Sequence, residues 1–445
     1  MAFIMLSKML SITRKRDRFY LLCGTGLLCF ASFGTPTYAD SFPNALSKAI
    51  EHSNSLAASQ AREEEADAAV SEARASFLPS LAARFSYGHR SSKTRAGGTT
   101  VSRSAKPYSY GLTGTLALFR GGQHVHGLKS AKFAAQAASL DRFDKEQEVV
   151  LEAVDAYLGV LRDRKIVALR QENLRALDGI RNGQEVRFRL GEGTRTDIAL
   201  ARDRNELARA ELISANGQLR ASELTYEKMT GEKASYLILP RGMNRLLPRT
   251  AAEVRDRTEQ NNPKIKSAIA RSQSAAYAAK AKFGEALPSI DLTASYDWDH
   301  DTIGGSDREE AGYIGVNVSI PLFAPKTYAG YRKSKAISRA LDLEARDATL
   351  GVMFAADIAW AAYLTERDRL VALKNRVQAA RDAEYGINRE FKGGERDVTD
   401  LLDARTRVVL AQVDYAFAEY DRHYSAYVLL ATIGSLGAND VAMLQ

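Results

Sequence analysis

The sequence predicts a mixed fold: an internally duplicated helix–strand–strand–helix unit that supplies four strands to a membrane β-barrel and long helices to a coiled-coil barrel. Three observations lead to this prediction. Landmarks recur at offsets of 203 to 209 residues, each half contains two segments of alternating apolar and polar residues, and two long stretches contain no proline. The chain has 445 residues, and its hydrophobic (45%) and charged (26%) contents are typical of a folded protein.

The first 39 residues predict a secretory signal. A basic segment precedes an apolar run over Phe19–Gly34, and Thr37-Tyr38-Ala39 provides a small-residue cleavage site, so we expect cleavage after Ala39. Both cysteines, Cys23 and Cys29, lie inside this segment. The mature chain would then contain no cysteine, which excludes disulfides and cysteine-based metal sites.

The remaining chain repeats itself once, with a first repeat over residues 40–250 and a second over residues 251–445. Leu78-Pro79-Ser80 returns as Leu287-Pro288-Ser289, and Leu118-Phe119 returns as Leu322-Phe323. Five landmarks keep one register near the end of each repeat; Gly191, Thr196, Asp197, Ala201 and Arg202 return as Gly394, Thr399, Asp400, Ala404 and Arg405. A long internal repeat determines the architecture before any single residue is interpreted.

Proline positions separate helical from non-helical segments, because proline inside a helix costs about 3 kcal/mol. The first helix of each repeat is predicted over Phe42–Phe77 and Ala251–Ala286, ending at the Leu-Pro-Ser element. A much longer helix is predicted over Gly122–Leu190, with a copy from about Lys326 to Phe391. A helix of that length extends about 100 Å, and a glycine turn followed by a return helix ends each copy.

Two strands lie between the helices of each repeat, at about 80–89 and 108–119 and at about 289–298 and 312–323. Apolar side chains alternate with polar ones along each segment; in the second segment the apolar set runs from Tyr108 through Leu116 to Leu118. The polar segments Arg90–Pro107 and His300–Glu310 are predicted as exposed hairpin loops.

The apolar strand faces need a cover, which lipid or the protein's own helices could supply. Aromatic residues near the strand ends and thoroughly polar opposite faces favour a lipid-facing barrel with a wet interior. Outside the signal the sequence has no run of 18 apolar residues, so a membrane location requires a barrel. Four strands cannot close one, so several chains must share it; two, three or four remain open on this argument.

Several other classes of function are excluded or disfavoured. The net charge of +8 is spread along the chain, which is unlike a nucleic-acid-binding surface. No catalytic or nucleotide-binding motif occurs, so we expect neither enzymatic activity nor a cofactor. His124 and His126 are two residues apart without a third ligand, which argues against a metal site. A periplasmic coiled-coil adaptor of an export complex remains the alternative interpretation.

With these features in order, the chain resembles the TolC family of outer-membrane efflux and type I secretion proteins, from about Ala45 to Leu436. The most specific matches are the two turn motifs, which span residues 191–198 and 394–405. The resemblance implies a homotrimer with a shared twelve-stranded barrel in the outer membrane of a Gram-negative bacterium and a helical tunnel in the periplasm. It implies a periplasmic adaptor and an inner-membrane ABC or proton-driven pump as partners, with proteins or small molecules as cargo.

The resemblance also assigns roles to the turns. Asp400 and Asp403 match an acidic ring at the channel entrance, although acids in a first helical turn are also favoured by the helix dipole. Arg396 matches an arginine that latches the closed end, and Thr196 and Asp197 match its partners; an N-cap pair at these two positions is the plainer interpretation. Phe391 stands where some members carry a latch tyrosine, and it cannot donate a hydrogen bond.

The same two turns are candidate docking points for the adaptor. Their alternative role is purely structural, since glycine supplies the left-handed conformation that ends many helices. The residues concerned are Gly191, Gly193 and Thr194 in the first turn and Gly393 and Gly394 in the second.

Overall fold

The computed structural model describes residues 41–240, 243–301 and 308–437. The predicted signal and its cleavage point after Ala39 lie outside the described residues. The described chain is built from very long helices and one principal sheet, and elements recur in the same order in its two halves.

Both repeats use the same succession of helices. The first contains α1 (Phe42–His52), α2 (Asn54–Ala75), α3 (Gln123–Arg189) and α4 (Arg195–Thr230). The second contains α5 (Ala251–Asn261), α6 (Pro263–Gly284), α7 (Pro325–Lys392) and α8 (Val398–Thr432). The two longest, α3 and α7, contain 67 and 68 residues, as the proline-free stretches predicted.

The predicted first helix of each repeat was wrong in one respect, because it is broken into two. Ser53 ends α1 and caps α2 by accepting a hydrogen bond from the Leu56 amide at 3.2 Å. Asn262 does the same before Pro263, accepting from the Lys264 amide at 2.9 Å. The Asn262 side-chain amide also donates to the Thr432 carbonyl at 2.8 Å, which ties this break to the end of α8.

A four-stranded antiparallel sheet has the order β1-β4-β5-β6. Its strands are β1 (Ser80–Tyr87), β4 (Tyr108–Arg120), β5 (Ser289–His300) and β6 (Arg308–Ser319). The last strand therefore begins and ends about four residues earlier than predicted, so Ile320 and Leu322 lie outside it. The central pair, β4 and β5, joins the two repeats, while β1 and β6 are the outer strands.

The segment Arg90–Pro107, predicted as a loop, is a second hairpin. Its strands are β2 (Arg90–Ala96) and β3 (Thr99–Ala105), paired throughout. Gly97 and Gly98, with φ of +57° and +83°, form the turn between them, which is the conformation that two-residue hairpin turns require. Two strands are thus present in addition to the predicted four, because polar Ser/Thr-rich segments lack the apolar face by which the others were found.

The alternation of the principal sheet holds with one exception. Along β4 and β5, Tyr110 lies opposite Trp298 with their rings stacked 5.1 Å apart, and the apolar face continues through Leu116. A β-bulge between Ala117 and Phe119 then shifts the register. Phe119 is therefore paired with Ile290 and lies on the apolar face. The alternation predicted Leu118 on that face, but one extra residue reverses the direction of the side chains.

The opposite face of the sheet is polar. Arg120 pairs with Asp291 across β4 and β5 at 3.0 Å, and Asn317 donates to Thr293 at 3.2 Å. The apolar face is highly exposed in the single chain; Leu81 is 78% and Ile314 is 76% exposed. A sheet of this kind has one face suited to water and another that still needs a cover.

A close backbone contact joins the sheet to the helices. Gly121, at φ +58°, follows β4, and a Cβ atom there would lie 2.2 Å from the Gly284 carbonyl oxygen at the end of α6. A side chain at this position would clash with backbone that cannot move aside. The two glycines therefore let the chain turn from strand into α3 directly against α6.

The main hydrophobic core lies midway along the long helices. Phe42, Tyr157, Tyr226 and Tyr427 are buried in it together with residues from the end of α8. The Tyr157 hydroxyl donates to the Ile238 carbonyl at 2.8 Å and accepts from the Ile238 amide at 3.0 Å. This side chain therefore fastens the segment after α4 to the middle of α3.

Helix α7 is unusually apolar for an exposed helix. It contains an 18-residue window with a mean hydropathy of 1.4, of which 17% is buried, so length and composition alone would allow a membrane span. Charged residues such as Asp357 interrupt the apolar sequence of α7, so the helix contains no uninterrupted run of 18 apolar residues. A stripe at seven- and four-residue spacing is exposed along α7, formed by Leu343, Leu350, Phe354 and Ile358.

Replacing Tyr157 by phenylalanine should destabilise the core. The change leaves the Ile238 amide and carbonyl without their partner, at a cost of about 1–3 kcal/mol. We expect a lower midpoint of thermal unfolding, measured by circular dichroism in detergent. Tyr236→Phe is the matched control, because Tyr236 is 72% exposed. Equal midpoints for the two variants would contradict the role given to the Tyr157 hydroxyl.

Candidate functional site

The two helical turns have the same backbone hydrogen bonding. After α3, the Gly191 amide donates to the Phe188 carbonyl at 3.0 Å and the Glu192 amide to the Arg187 carbonyl at 2.9 Å. After α7, Gly394 and Glu395 repeat both bonds at 3.1 and 2.9 Å. This is the Schellman motif, and it requires the positive φ of +80° at Gly191 and +81° at Gly394.

The other two glycines of the docking prediction have no such conformation. Gly393 is right-handed helical with φ −78°, and a Cβ atom on Gly193 would lie 3.3 Å from the Phe188 nitrogen. The conformational interpretation therefore applies to Gly191 and Gly394 alone. Of the five residues predicted to dock the adaptor, all except Gly193 are exposed. Leu190, beside the first turn, is 69% exposed.

Both return helices begin with a side-chain cap. Thr194 accepts from the Asp197 amide at 3.1 Å, while the Asp197 carboxylate accepts from the Thr194 amide at 2.9 Å, which completes a capping box. The cap is therefore Thr194, and the predicted alternative of a cap at Thr196 was wrong by two residues. In the second repeat Asp397 caps α8 by accepting from the Asp400 amide at 3.1 Å.

The difference between the caps gives the corresponding carboxylates of the two repeats different partners. Asp197 is occupied by its own backbone, whereas Asp400, which corresponds to it in the second repeat, directs its side chain to Arg396 at 3.3 Å. Arg396 also donates to Glu390 at 3.0 Å, and these two hydrogen bonds, the one to Glu390 foremost, raise the pKa of the Arg396 guanidinium. Arg396 joins the end of α7 to the start of α8.

The second predicted acid, Asp403, has a partner in the other repeat. Arg204 of α4 donates from its Nη2 to the Asp403 Oδ1 at 3.0 Å. Sequence reasoning missed Arg204, because nothing in its local pattern distinguishes it from other arginines of α4. Arg405 was also named only as a repeat landmark; it lies between Glu172 and Glu384, at 3.6 and 3.5 Å.

Phe391 packs at the edge of a small apolar cluster and beneath a cation. The cluster contains Leu177, Val398 and Leu402, and the Arg187 guanidinium lies 4.9 Å from the Phe391 ring centre. A cation over an aromatic face is attracted by the ring quadrupole. Phe391 therefore connects α7 to α3 by packing, without the hydroxyl that a tyrosine would bring.

Within the described part of one chain, the structure brings together some of the predicted residues and not others. Arg396 donates hydrogen bonds to Glu390 and to the predicted residue Asp400. Within one chain, none of the described hydrogen bonds joins it to Thr196 or Asp197. His124 and His126 instead pack against Phe77 and Tyr277, at ring distances of 5.5 and 6.1 Å. The residues described include no group of three potential metal ligands.

This arrangement defines a class of protein: a chain of an outer-membrane channel, with a one-sided sheet at one end of 67- and 68-residue helices and paired turns at the other. A sequence model of the outer membrane efflux protein family matches residues 45–232 and 254–435. The chain belongs to this family, whose members are channel proteins of the Gram-negative outer membrane, with their helices in the periplasm, and not enzymes.

Individual relatives agree with this assignment. The chain is 30% identical over 433 residues to the outer membrane efflux protein BepC of Brucella suis, covering 95% of this chain and 90% of BepC. It is 23% identical over 434 residues to the outer membrane protein TolC of Vibrio cholerae, covering 93% of this chain and 96% of TolC. The CmeC outer membrane channel of Campylobacter jejuni superposes with a TM-score of 0.77 at 16% identity, covering 88% and 85%.

The comparisons bear directly on the two interpretations of the sequence. The predicted family, the mixed fold with its duplicated unit, and the function as an outer-membrane channel are confirmed. The adaptor interpretation is set aside, because the family match extends over both repeats.

The two threonines of the first turn allow a direct test of the cap. Thr194→Ala removes the acceptor for the Asp197 amide and should cost about 1 kcal/mol of local helix stability. We expect faster amide hydrogen exchange over residues 195–199, measured by mass spectrometry. Thr196→Ala is the control and should leave that exchange unchanged. Faster exchange in Thr196→Ala alone would restore the predicted cap.

Proposed function

We propose that three copies of this chain form one continuous export duct, in which each copy contributes four strands of a twelve-stranded barrel. Strands β1 and β6 are outer strands of the sheet in the single chain. Lipid offers no hydrogen-bond partner for their free edges, so β6 of one copy pairs with β1 of the next until the ring closes. The apolar face then contacts lipid and the polar face, with Arg120 and Asp291, lines the water-filled interior.

The exposed stripe on α7 supports the same assembly. Leu350, Phe354 and Ile358 are 69%, 67% and 54% exposed and follow one another at four-residue spacing. A second copy of the chain is the occupant that fits, because helices packed side by side place such a stripe in the groove of a neighbour. The charges on the same helix disfavour lipid; Arg346 and Asp342, for example, are paired close to the stripe.

The proposed gate lies at the two turns. Arg396 holds the start of α8 to the end of α7 in one chain, and in the trimer it would also face Thr196 and Asp197 of a neighbouring copy. Asp400 and Asp403 of three copies would place six carboxylates around the entrance, where such a ring influences which ions pass. Phe391 contributes packing to the closed state, and Arg396 contributes the polar link.

The turns are also the proposed contact with the rest of the export system. Gly191, Thr194, Gly393 and Gly394 are exposed at the far end of the helices from the sheet. A periplasmic adaptor would dock on them and connect the duct to an inner-membrane pump, driven by ATP or by protons. We propose export of small molecules or proteins as the activity; BepC is named an outer membrane efflux protein.

The trimer can be tested on gels. Phe354→Glu places a charge in each proposed interface and should convert the slowly migrating species of unboiled samples into monomer. Tyr236→Glu, at an exposed position outside the stripe, should migrate as wild type. Helix content by circular dichroism should be equal in both variants. A trimer of unchanged heat resistance in Phe354→Glu would contradict the proposed packing of α7.

The gate can be tested in planar lipid bilayers. Arg396→Ala removes the links to Glu390 and Asp400 and should raise the single-channel conductance well above the spread of wild-type recordings. Arg389→Ala is the control, because Arg389 lies nearby but 6.0 Å above the ring of Tyr385. Conductance of Arg396→Ala equal to that of wild type would remove Arg396 from the gate.

A further inference from the structure

An ion pair between the repeats changes the electrostatics expected at the entrance. The guanidinium of Arg204, on α4, lies 3.0 Å from the carboxylate of Asp403, on α8. Both side chains are partly exposed, at 36% and 43%, so they lie at the boundary between helix packing and water. The pair connects the return helices of the two repeats, and its two residues are 199 positions apart in the sequence.

The other entrance acid is paired in the same way. Asp400 accepts from Arg396 at 3.3 Å, and Arg396 also contacts Glu390. Each copy therefore brings two arginines to the two carboxylates of the proposed ring. Without these arginines the two acids of three copies would present six negative charges at the entrance. Arg204 cancels the charge of Asp403, whereas Arg396 divides its charge between Asp400 and Glu390.

We propose that Arg204 sets the ion preference of the channel entrance by neutralising Asp403. The inference rests on the proposed function, in which Asp400 and Asp403 line the entrance. It goes further in naming a residue of the first repeat that controls charge selection and in predicting that the Asp403 carboxylates add little net charge to the entrance.

The physical basis is the range of the two kinds of field. A single carboxylate acts over the Debye length, about 8–10 Å in physiological salt. A carboxylate with a guanidinium 3.0 Å away acts as a dipole, whose field weakens much faster with distance. Multivalent cations then gain less by entering the ring, and anionic solutes encounter less repulsion, than if Asp403 were unpaired.

A merely structural role for Arg204 predicts a different pattern. If the residue only braces α4 against α8, its fork-shaped hydrogen bonding matters, and lysine would be a poor replacement. If its charge is what matters, lysine preserves the ion preference and glutamine does not, although glutamine keeps hydrogen-bond donors. The two replacements therefore separate charge from bracing.

The experiment measures reversal potentials in a KCl gradient and block by hexaamminecobalt(III) added at the periplasmic side of the trimer in planar bilayers. Arg204→Gln should shift the preference towards cations and tighten the block about tenfold or more, since a ring of uncompensated carboxylates binds cations. Arg204→Lys should resemble wild type. Arg202→Gln removes an exposed arginine two residues away on α4 and should also resemble wild type.

Variants of Asp403 complete the charge cycle. Asp403→Asn leaves Arg204 unpaired and should shift the preference towards anions, and the double variant Arg204→Gln/Asp403→Asn should return to wild type. If Asp403→Asn changes the ion preference but Arg204→Gln does not, the inference about Arg204 is overturned and the proposed entrance stands. If Asp403→Asn has no effect in intact trimers, both the inference and the proposed entrance are overturned.

Discussion

The constraint on which the structure depends is that backbone hydrogen bonds have no substitute partner in lipid. A sheet of four strands ends in two unsatisfied edges, β1 and β6, and its apolar face is highly exposed in the single chain. Each chain is thus a fraction of a closed wall. A ring of strands also fixes the distance between neighbouring copies. The long helices of those copies must therefore complete a ring as well.

Duplication gives this chain two turns of identical backbone and different charge. The Schellman bonds at Gly191 and Gly394 agree within 0.1 Å. The cap that follows is a capping box in one repeat, and in the other it is Asp397, which leaves the Asp400 carboxylate to pair with Arg396. A repeat of this kind keeps geometry constant while side chains diverge. One turn ends in a capping box, and the other carries an exposed network of Arg396 with the carboxylates of Glu390 and Asp400.

The sequence predicted what depends on periodicity and failed where tertiary contacts decide. Proline-free stretches located α3 and α7, and alternating residues located the four strands of the main sheet. The hairpin at Arg90–Ala105 was missed because it has no apolar face, and the bulge beside Leu118 because it depends on the pairing partner. Arg204 could not be found locally, since its partner Asp403 is 199 residues away.

The hydrogen bond from Asn262 to the Thr432 carbonyl fixes one end of α8, and Asp400 lies near the other. The 35 residues of α8 span about 50 Å, and the tyrosine-rich core holds the end of the helix that is remote from Asp400. A tilt of α8 by a few degrees about this end would move the end near Asp400 by several ångströms. In the proposed trimer, a small repacking at that end of α8 would therefore change the width of the entrance.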